Sequence, residues 1–252
     1  KKINKKLGKN PTADDLLNLG DNLREIFRST SKKGRSQGTV SSSGVAWECL
    51  LTWYLNLCLA NSRSVVFKWY KNIIPQSIKD ALSVELSGHA FLSETDIIGF
   101  VLPDIDDVNF NNKKSNENIK KFSKIADENF SSLETCVVQC KTNWNDSSQI
   151  PFLWNILYTL GGDPRANVSI GINNRDVHAL QRFSYAFATV PSQKKLDTFK
   201  PGKVQVERVR HLSGKNYWGL KSKDGVAKSV KEIIGANFKN GFGDKDIREN
   251  IK

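Results

Sequence analysis

Apolar residues recur at helical spacing near the start of the chain. Leu16, Leu19, Leu23, Ile26 and Phe27 lie on one face and predict a helix over Asp14–Arg28. The stretch Ser29–Ser43 is rich in Ser, Gly, Lys and Arg and predicts a flexible loop. The helical pattern resumes through Val45, Leu50, Leu51, Tyr54, Leu55 and Leu59, with Ser43 placed to cap it. Ser64–Ile74 is aromatic and mixed, with no clear period. Ser77–Leu86 predicts a short helix opening after Pro75.

The period then changes. Asp96–Leu102 is a nearly continuous apolar run closed by Pro103-Asp104, which predicts a buried strand. Leu133–Thr142 predicts a second strand. Residues 109–121 between them are rich in Asn and Lys and predict an exposed insertion. A helix over Gln149–Leu160 should stop at Gly161-Gly162. Further strands are expected at Val168–Ile172, Ser184–Val190 and Val204–Arg210, and a last amphipathic helix at Val226–Phe238. The order helix, strand, strand, helix, strand, strand suits an α/β fold, with a mixed central β-sheet flanked by helices. Residues 1–43 then form a basic N-terminal helix and flexible loop, and 44–252 the main domain, with an exposed insertion near 105–131.

Charge adds a partner class. The 252 residues carry a formal net charge of +12. Residues 1–40 hold 10 basic and 4 acidic residues, 194–252 hold 15 and 7, and 41–193 hold 13 and 15. A slightly acidic centre between two basic ends suits a polyanion such as nucleic acid. No apolar run is long enough to span a bilayer: Val45–Ala60 is interrupted by Glu48 and Asn56. The Lys-rich first residues lack the apolar segment of a secretory signal, so a cytoplasmic protein without membrane attachment is expected. Cys49, Cys58, Cys136 and Cys140 have no zinc-site spacing and are expected to be buried, reduced thiols. His89, His178 and His211 share no ligand spacing, and neither a phosphate-binding loop nor a serine-nucleophile elbow is present.

The polar positions inside the two central strands carry the candidate chemistry. Side chains alternate along a strand, so Gln139 and Lys141 share one face while Val138 and Cys140 share the other. A lysine inside so apolar a stretch has to be solvated or paired. Asp96 heads the preceding strand, with Glu94 two positions earlier on the same face. If the two strands pair in suitable register, a carboxylate, an amide oxygen and an ammonium group converge. Such oxygens suit Mg²⁺, which prefers hard ligands and retains water.

These residues resemble the PD-(D/E)xK nuclease superfamily. The resemblance covers roughly residues 44–172: Asp96 in Thr95-Asp96-Ile97-Ile98-Gly99, the acid-x-Lys position in Val137-Val138-Gln139-Cys140-Lys141, and a helical acid at Glu48. It departs at 139, where Gln stands for the usual acid, a QxK form found in some restriction enzymes. The resemblance implies that Asp96 is the principal metal ligand, with Gln139, the backbone carbonyl of Cys140 and Glu94 as further candidates. It implies that Lys141 orients the attacking water, and that Glu48 binds a metal-associated water or positions Lys141. A literal Pro-Asp at Pro103-Asp104 ranks second, because it follows its strand rather than heading it. By this resemblance 44–252 is a restriction endonuclease-like catalytic domain. The expected activity is that of a type II restriction endonuclease hydrolysing double-stranded DNA at a short specific sequence. The cofactor implied is Mg²⁺, the form a homodimer, and the functional companion a cognate DNA methyltransferase.

Candidate DNA contacts are Lys32, Lys33 and Arg35 in the early basic loop, Asn143 and Asn145 after the catalytic lysine, Asn173, Asn174 and Arg175 after a strand, and Arg208, Arg210 and Lys215 in the basic C-terminal tract. Asp146, Ser147 or Ser148 can equally serve as a helix cap. Two other classes stay open: a repair or structure-specific nuclease of the same fold, and a non-catalytic DNA-binding protein with a degraded site. An anionic-membrane protein is a further reading of the basic ends.

Overall fold

A computed structural model describes residues 3, 7, 9–30, 37–92, 95–105, 115–142, 149–190, 201–204, 207, 211, 216–219 and 228–250. The first helix, α1 (Ala13–Thr30), opens on a reciprocal cap. The Asp15 amide donates to Thr12 Oγ1 at 3.2 Å, and the Thr12 amide donates to Asp15 Oδ2 at 2.9 Å. Helix α2 (Gln37–Cys58) begins seven residues earlier than a cap at Ser43 requires, so it runs unbroken across position 43. The apolar face of α1 (Leu16, Leu19, Leu23, Ile26 and Phe27) packs into one core with Trp47, Leu51, Tyr54, Leu55 and Leu59 of α2 and its C-terminal end.

Strands β1 (Ser64–Lys68), β4 (Ile97–Val101), β5 (Glu134–Lys141), β8 (Arg182–Thr189), β9 (Tyr217–Gly219) and β10 (Lys228–Ser229) form a six-stranded sheet in the order β1-β4-β5-β8-β9-β10. The first two pairings are antiparallel and the other three parallel, which makes it a mixed sheet. A second, antiparallel sheet has the order β3-β2-β7-β6 and uses β2 (Ser83–Leu86), β3 (His89–Leu92), β6 (Gly162–Asp163) and β7 (Val168–Ile170). The strand anticipated at Val168–Ile172 therefore joins a small sheet that the sequence pattern did not indicate.

Helices cover both faces of the large sheet. Ile97, Val101, Cys136, Val138, Ala186 and Ala188 face α1, α2 and α6 (Glu232–Asn237). Ile98, Phe100, Val137, Tyr185 and Phe187 face the other core, with α3 (Gln76–Leu82), α4 (Ser115–Glu128) and α5 (Gln149–Leu160). The alternation predicted for residues 137–140 is thus the division between two cores. The mixed α/β sheet flanked by helices agrees with the fold class expected from the sequence.

Several local expectations need correction. The segment expected as an exposed insertion contains α4, whose Phe122, Ile125 and Ala126 are buried. Asn116, Lys120, Lys121 and Lys124 lie exposed on the solvent face of this amphipathic helix, which lowers apolar content without removing structure. The expected strand at Val204–Arg210 is absent among the described residues. There Val204, Glu207 and His211 are helical, and the Glu207 amide donates to the Lys203 carbonyl at 3.0 Å. The final helix is shorter than Val226–Phe238, because Lys228 and Ser229 pair with Trp218 and Gly219 as strand β10. Cys49 is exposed, whereas Cys58, Cys136 and Cys140 are buried. No helix among the described residues is long and apolar enough to cross a membrane.

Candidate active site

Asp96 stands one residue before β4, on the same side of the strand as Ile98 and Phe100. The register Ile97↔Val138 sets Asp96 opposite Gln139. Gln139 Nε2 donates to Asp96 Oδ2 at 2.6 Å, and the backbone amide of Cys140 donates to the same oxygen at 2.6 Å. Tyr185 on β8 reaches Gln139 Oε1 at 3.4 Å. Burial raises the pKa of the Asp96 carboxyl from its ordinary value. The Cys140 amide, Lys141 and Lys68 oppose that shift, while the negative charge of Glu48 adds to it. Asp96 thus feels the charges of Glu48, Lys141 and Lys68.

Lys141 ends β5 on the face that carries Gln139 and is half-buried. Its carbonyl accepts from the Val190 amide at 2.9 Å, which fixes the strand end beneath the side chain. Glu48 projects from α2, and two anchors set that helix on the sheet. Trp47 Nε1 donates to the Ala188 carbonyl on β8 at 3.1 Å. On the other side, Asn56 Nδ2 donates to the Val66 carbonyl at 2.7 Å, and the Val66 amide donates to Asn56 Oδ1 at 3.0 Å. Asn56 thereby satisfies the amide and carbonyl of Val66 on edge strand β1. Lys68, two residues on, pairs with Glu48 at 2.8 Å.

Of the residues singled out from the sequence, Asp96, Gln139 and the Cys140 amide are joined by hydrogen bonds, Lys141 follows Gln139 on the same strand face, and Glu48 adds its charge to the surroundings of Asp96 from α2. Asn173, Asn174 and Arg175 belong to a different region. Asn173 and Asn174 have φ of 53° and 55°, as a tight turn between positive-φ residues requires. Asn173 donates to Asp80 Oδ2 at 3.1 Å, and the Arg175 guanidinium lies 4.7 Å from the centre of the Phe130 ring. Phe130 precedes the start of β5, whereas Lys141 ends that strand. Asp104 is exposed beyond the far end of β4 from Asp96, and it lies 4.0 Å from Arg63. Glu94, Lys32, Lys33, Arg35, Asn143, Asn145, Arg208, Arg210 and Lys215 lie outside the described residues.

Two residues of the site were missed from the sequence. Tyr185 has the ordinary signature of a core strand. Lys68 shares a strand face with Val66, and its charge at a strand end was the available signal.

The donor set is oxygen-rich. The carboxylates of Asp96 and Glu48, the side-chain carbonyl of Gln139 and the backbone carbonyl of Cys140 suit a hard cation. Burial keeps the Cys140 thiol pKa well above its ordinary value, so it remains a neutral group on the opposite face. No group of three His, Cys, Asp or Glu among the described residues forms a ready-made metal cluster. A metal here would lean on amide and backbone oxygens as well as carboxylates. The chain matches no protein-family model and none of the curated proteins with which it was compared.

Proposed function

We propose that this protein is a magnesium-dependent nuclease that hydrolyses double-stranded DNA at a short specific sequence, in the manner of a type II restriction endonuclease. The observation that carries this reading is the Asp96–Gln139 bond across β4 and β5, with Lys141 beside it and Glu48 presented from a helix anchored to the same sheet. A carboxylate with a raised pKa, an amide and a lysine grouped at a sheet end fit a catalytic centre better than a strand cap.

Asp96 and Glu48 would hold the magnesium, with the oxygens of Gln139 and Cys140. When bound, magnesium acts as a Lewis acid toward a phosphate oxygen and makes a neighbouring water more acidic. Gln139 has to present its acceptor to the cation, which a half-turn of its amide provides. Lys141 donates to the attacking water and balances negative charge on the phosphate. Glu48 orders water on the α2 side. The basic ends of the chain supply non-specific attraction to the duplex. A homodimer places one such site on each strand of a two-fold symmetric sequence.

A specific observation also favours a non-catalytic DNA-binding reading: Gln139 turns its donor, not its acceptor, toward Asp96. Incubation with plasmid DNA and Mg²⁺ separates the readings. Discrete fragments support the restriction enzyme, general degradation supports a repair-type nuclease, and DNA retention without cutting supports the binding protein. Lys141→Ala and Asp96→Ala are expected to lower cleavage by about 100-fold or more. Cleavage that survives both substitutions overturns the site.

A further inference from the structure

The sequence motif has one lysine, but the folded site has two. Lys68 reaches it from β1, where register sets it opposite Ile97, the neighbour of Asp96. The Trp69 amide continues the ladder by donating to the Asp96 carbonyl at 3.0 Å. Lys68 and Glu48 expose only 21% and 15% of their side chains. Of the ion pairs between described residues that involve no histidine, it is the one with both partners less than a quarter exposed. Solvent and salt therefore screen it least. Its geometry is also preset, because Asn56 locks α2 to β1 two residues before Lys68.

Charge counting at this site gives an unusual balance. Among the described residues, Asp96 and Glu48 contribute two carboxylates, and Lys141 and Lys68 two ammonium groups. Gln139 contributes none. From these four charges a divalent cation meets little net negative field, and it has to compete with the ammonium group seated on Glu48.

We propose that Lys68 is a positioning residue, the internal counter-ion of Glu48, and that it holds down the affinity of the DNA-free protein for divalent cations. The inference rests on the nuclease reading of the site and deepens it. The negative charge that completes the cation site is then a phosphate of the substrate, so cation loading follows DNA binding. Lys68 acts through Glu48 and does not touch the reacting atoms.

The test is calorimetric titration of Mn²⁺ into the DNA-free 252-residue chain. Lys68→Met and Lys68→Gln should bind Mn²⁺ at least about tenfold more tightly than the parent. Lys68→Arg should match the parent, and adding Glu48→Gln to Lys68→Met should abolish the gain. Circular dichroism verifies folding, and Lys68→Gln carries the test if the Met variant does not fold. Unchanged Mn²⁺ affinity in the neutral variants overturns the role of Lys68. If the parent still cuts plasmid DNA with Mg²⁺, that failure leaves the nuclease reading intact. Absence of both Mn²⁺ binding in every variant and plasmid cleavage overturns the two together.

Discussion

Gln139 gives its side-chain N–H to Asp96, 2.6 Å away across the antiparallel β4–β5 pair. At that separation a second carboxylate would face the first, and two like charges so close cannot both ionise freely. Gln139→Glu is therefore expected to lower stability in chelator by about 1–2 kcal/mol. It should also make the protein respond more strongly to added cation. Thermal unfolding with EDTA and with MgCl₂ checks this: the variant should melt below the parent in EDTA and recover more on adding magnesium. A variant as stable as the parent in EDTA would show that the pairing at 139 is not a charge constraint.

Asp96 is strained electrostatically, since burial raises its pKa despite two hydrogen bonds to one oxygen. Its folded-state pKa lies above the unfolded value, so over that interval the folded protein holds more protons. This group's contribution to stability is complete at low pH and is lost as pH rises through the raised value. Asp96→Asn removes the charge but keeps an acceptor. It should abolish the proposed cleavage yet raise Tm near neutral pH. The gain should shrink as pH falls through the carboxylate range. A melting temperature lowered at neutral pH would contradict the balance of burial over bonding.

Asn56 tests how α2 is registered on the sheet. Its two bonds to Val66 satisfy a donor and an acceptor on a strand residue that is buried. Asn56→Ala leaves both unpaired and should cost about 2–4 kcal/mol. Hydrogen exchange at the Val66 amide should accelerate more than at the centre of β5. Because Lys68 and Glu48 sit on the two elements that Asn56 joins, cleavage should fall as well. Unchanged exchange at Val66 would show that the edge is protected by other means.

How much of this was legible in the sequence depended on the length and punctuation of each segment. Strands β4 and β5 combine long apolar runs with polar residues at one end, and α5 ends at Gly161 as its glycines require. The pairing of Asp96 with Gln139 followed from strand alternation plus the right register, and the register was the unproven step. Strand β2 was hidden because Ala81, Leu82 and Val84 continue an apolar run from α3 with no breaker between them. The turn at Ser87 and Gly88, both with positive φ, announces the β2–β3 hairpin only in retrospect. Residues 204–210 alternate like a strand, but seven residues do not separate that period from a helical one. Lys68 was illegible because its importance comes from α2, which approaches from another part of the chain.

Gly99 lies in the middle of β4, between Val66 on β1 and Cys136 on β5. Its face is opposite to that of Asp96 and points toward α6. Phe238, fully buried just after that helix, occupies the space a side chain would need. A Cβ at 99 would fall 2.5 Å from Phe238 Cε1, 2.6 Å from its Cζ and 3.3 Å from Val66 Cγ2. Gly99→Ala therefore forces the ring or the strand to move, and should destabilise by about 1–3 kcal/mol. Phe238→Leu relieves the clash but leaves a void when made alone. The double variant should consequently be more stable than the sum of the two single effects predicts, a coupling measurable by urea unfolding. Because the clash is on the helix-packed face, cleavage per folded molecule should stay near the parent value below the melting transition. Strict additivity of the two substitutions would place the constraint at 99 in the strand backbone rather than in contact with Phe238.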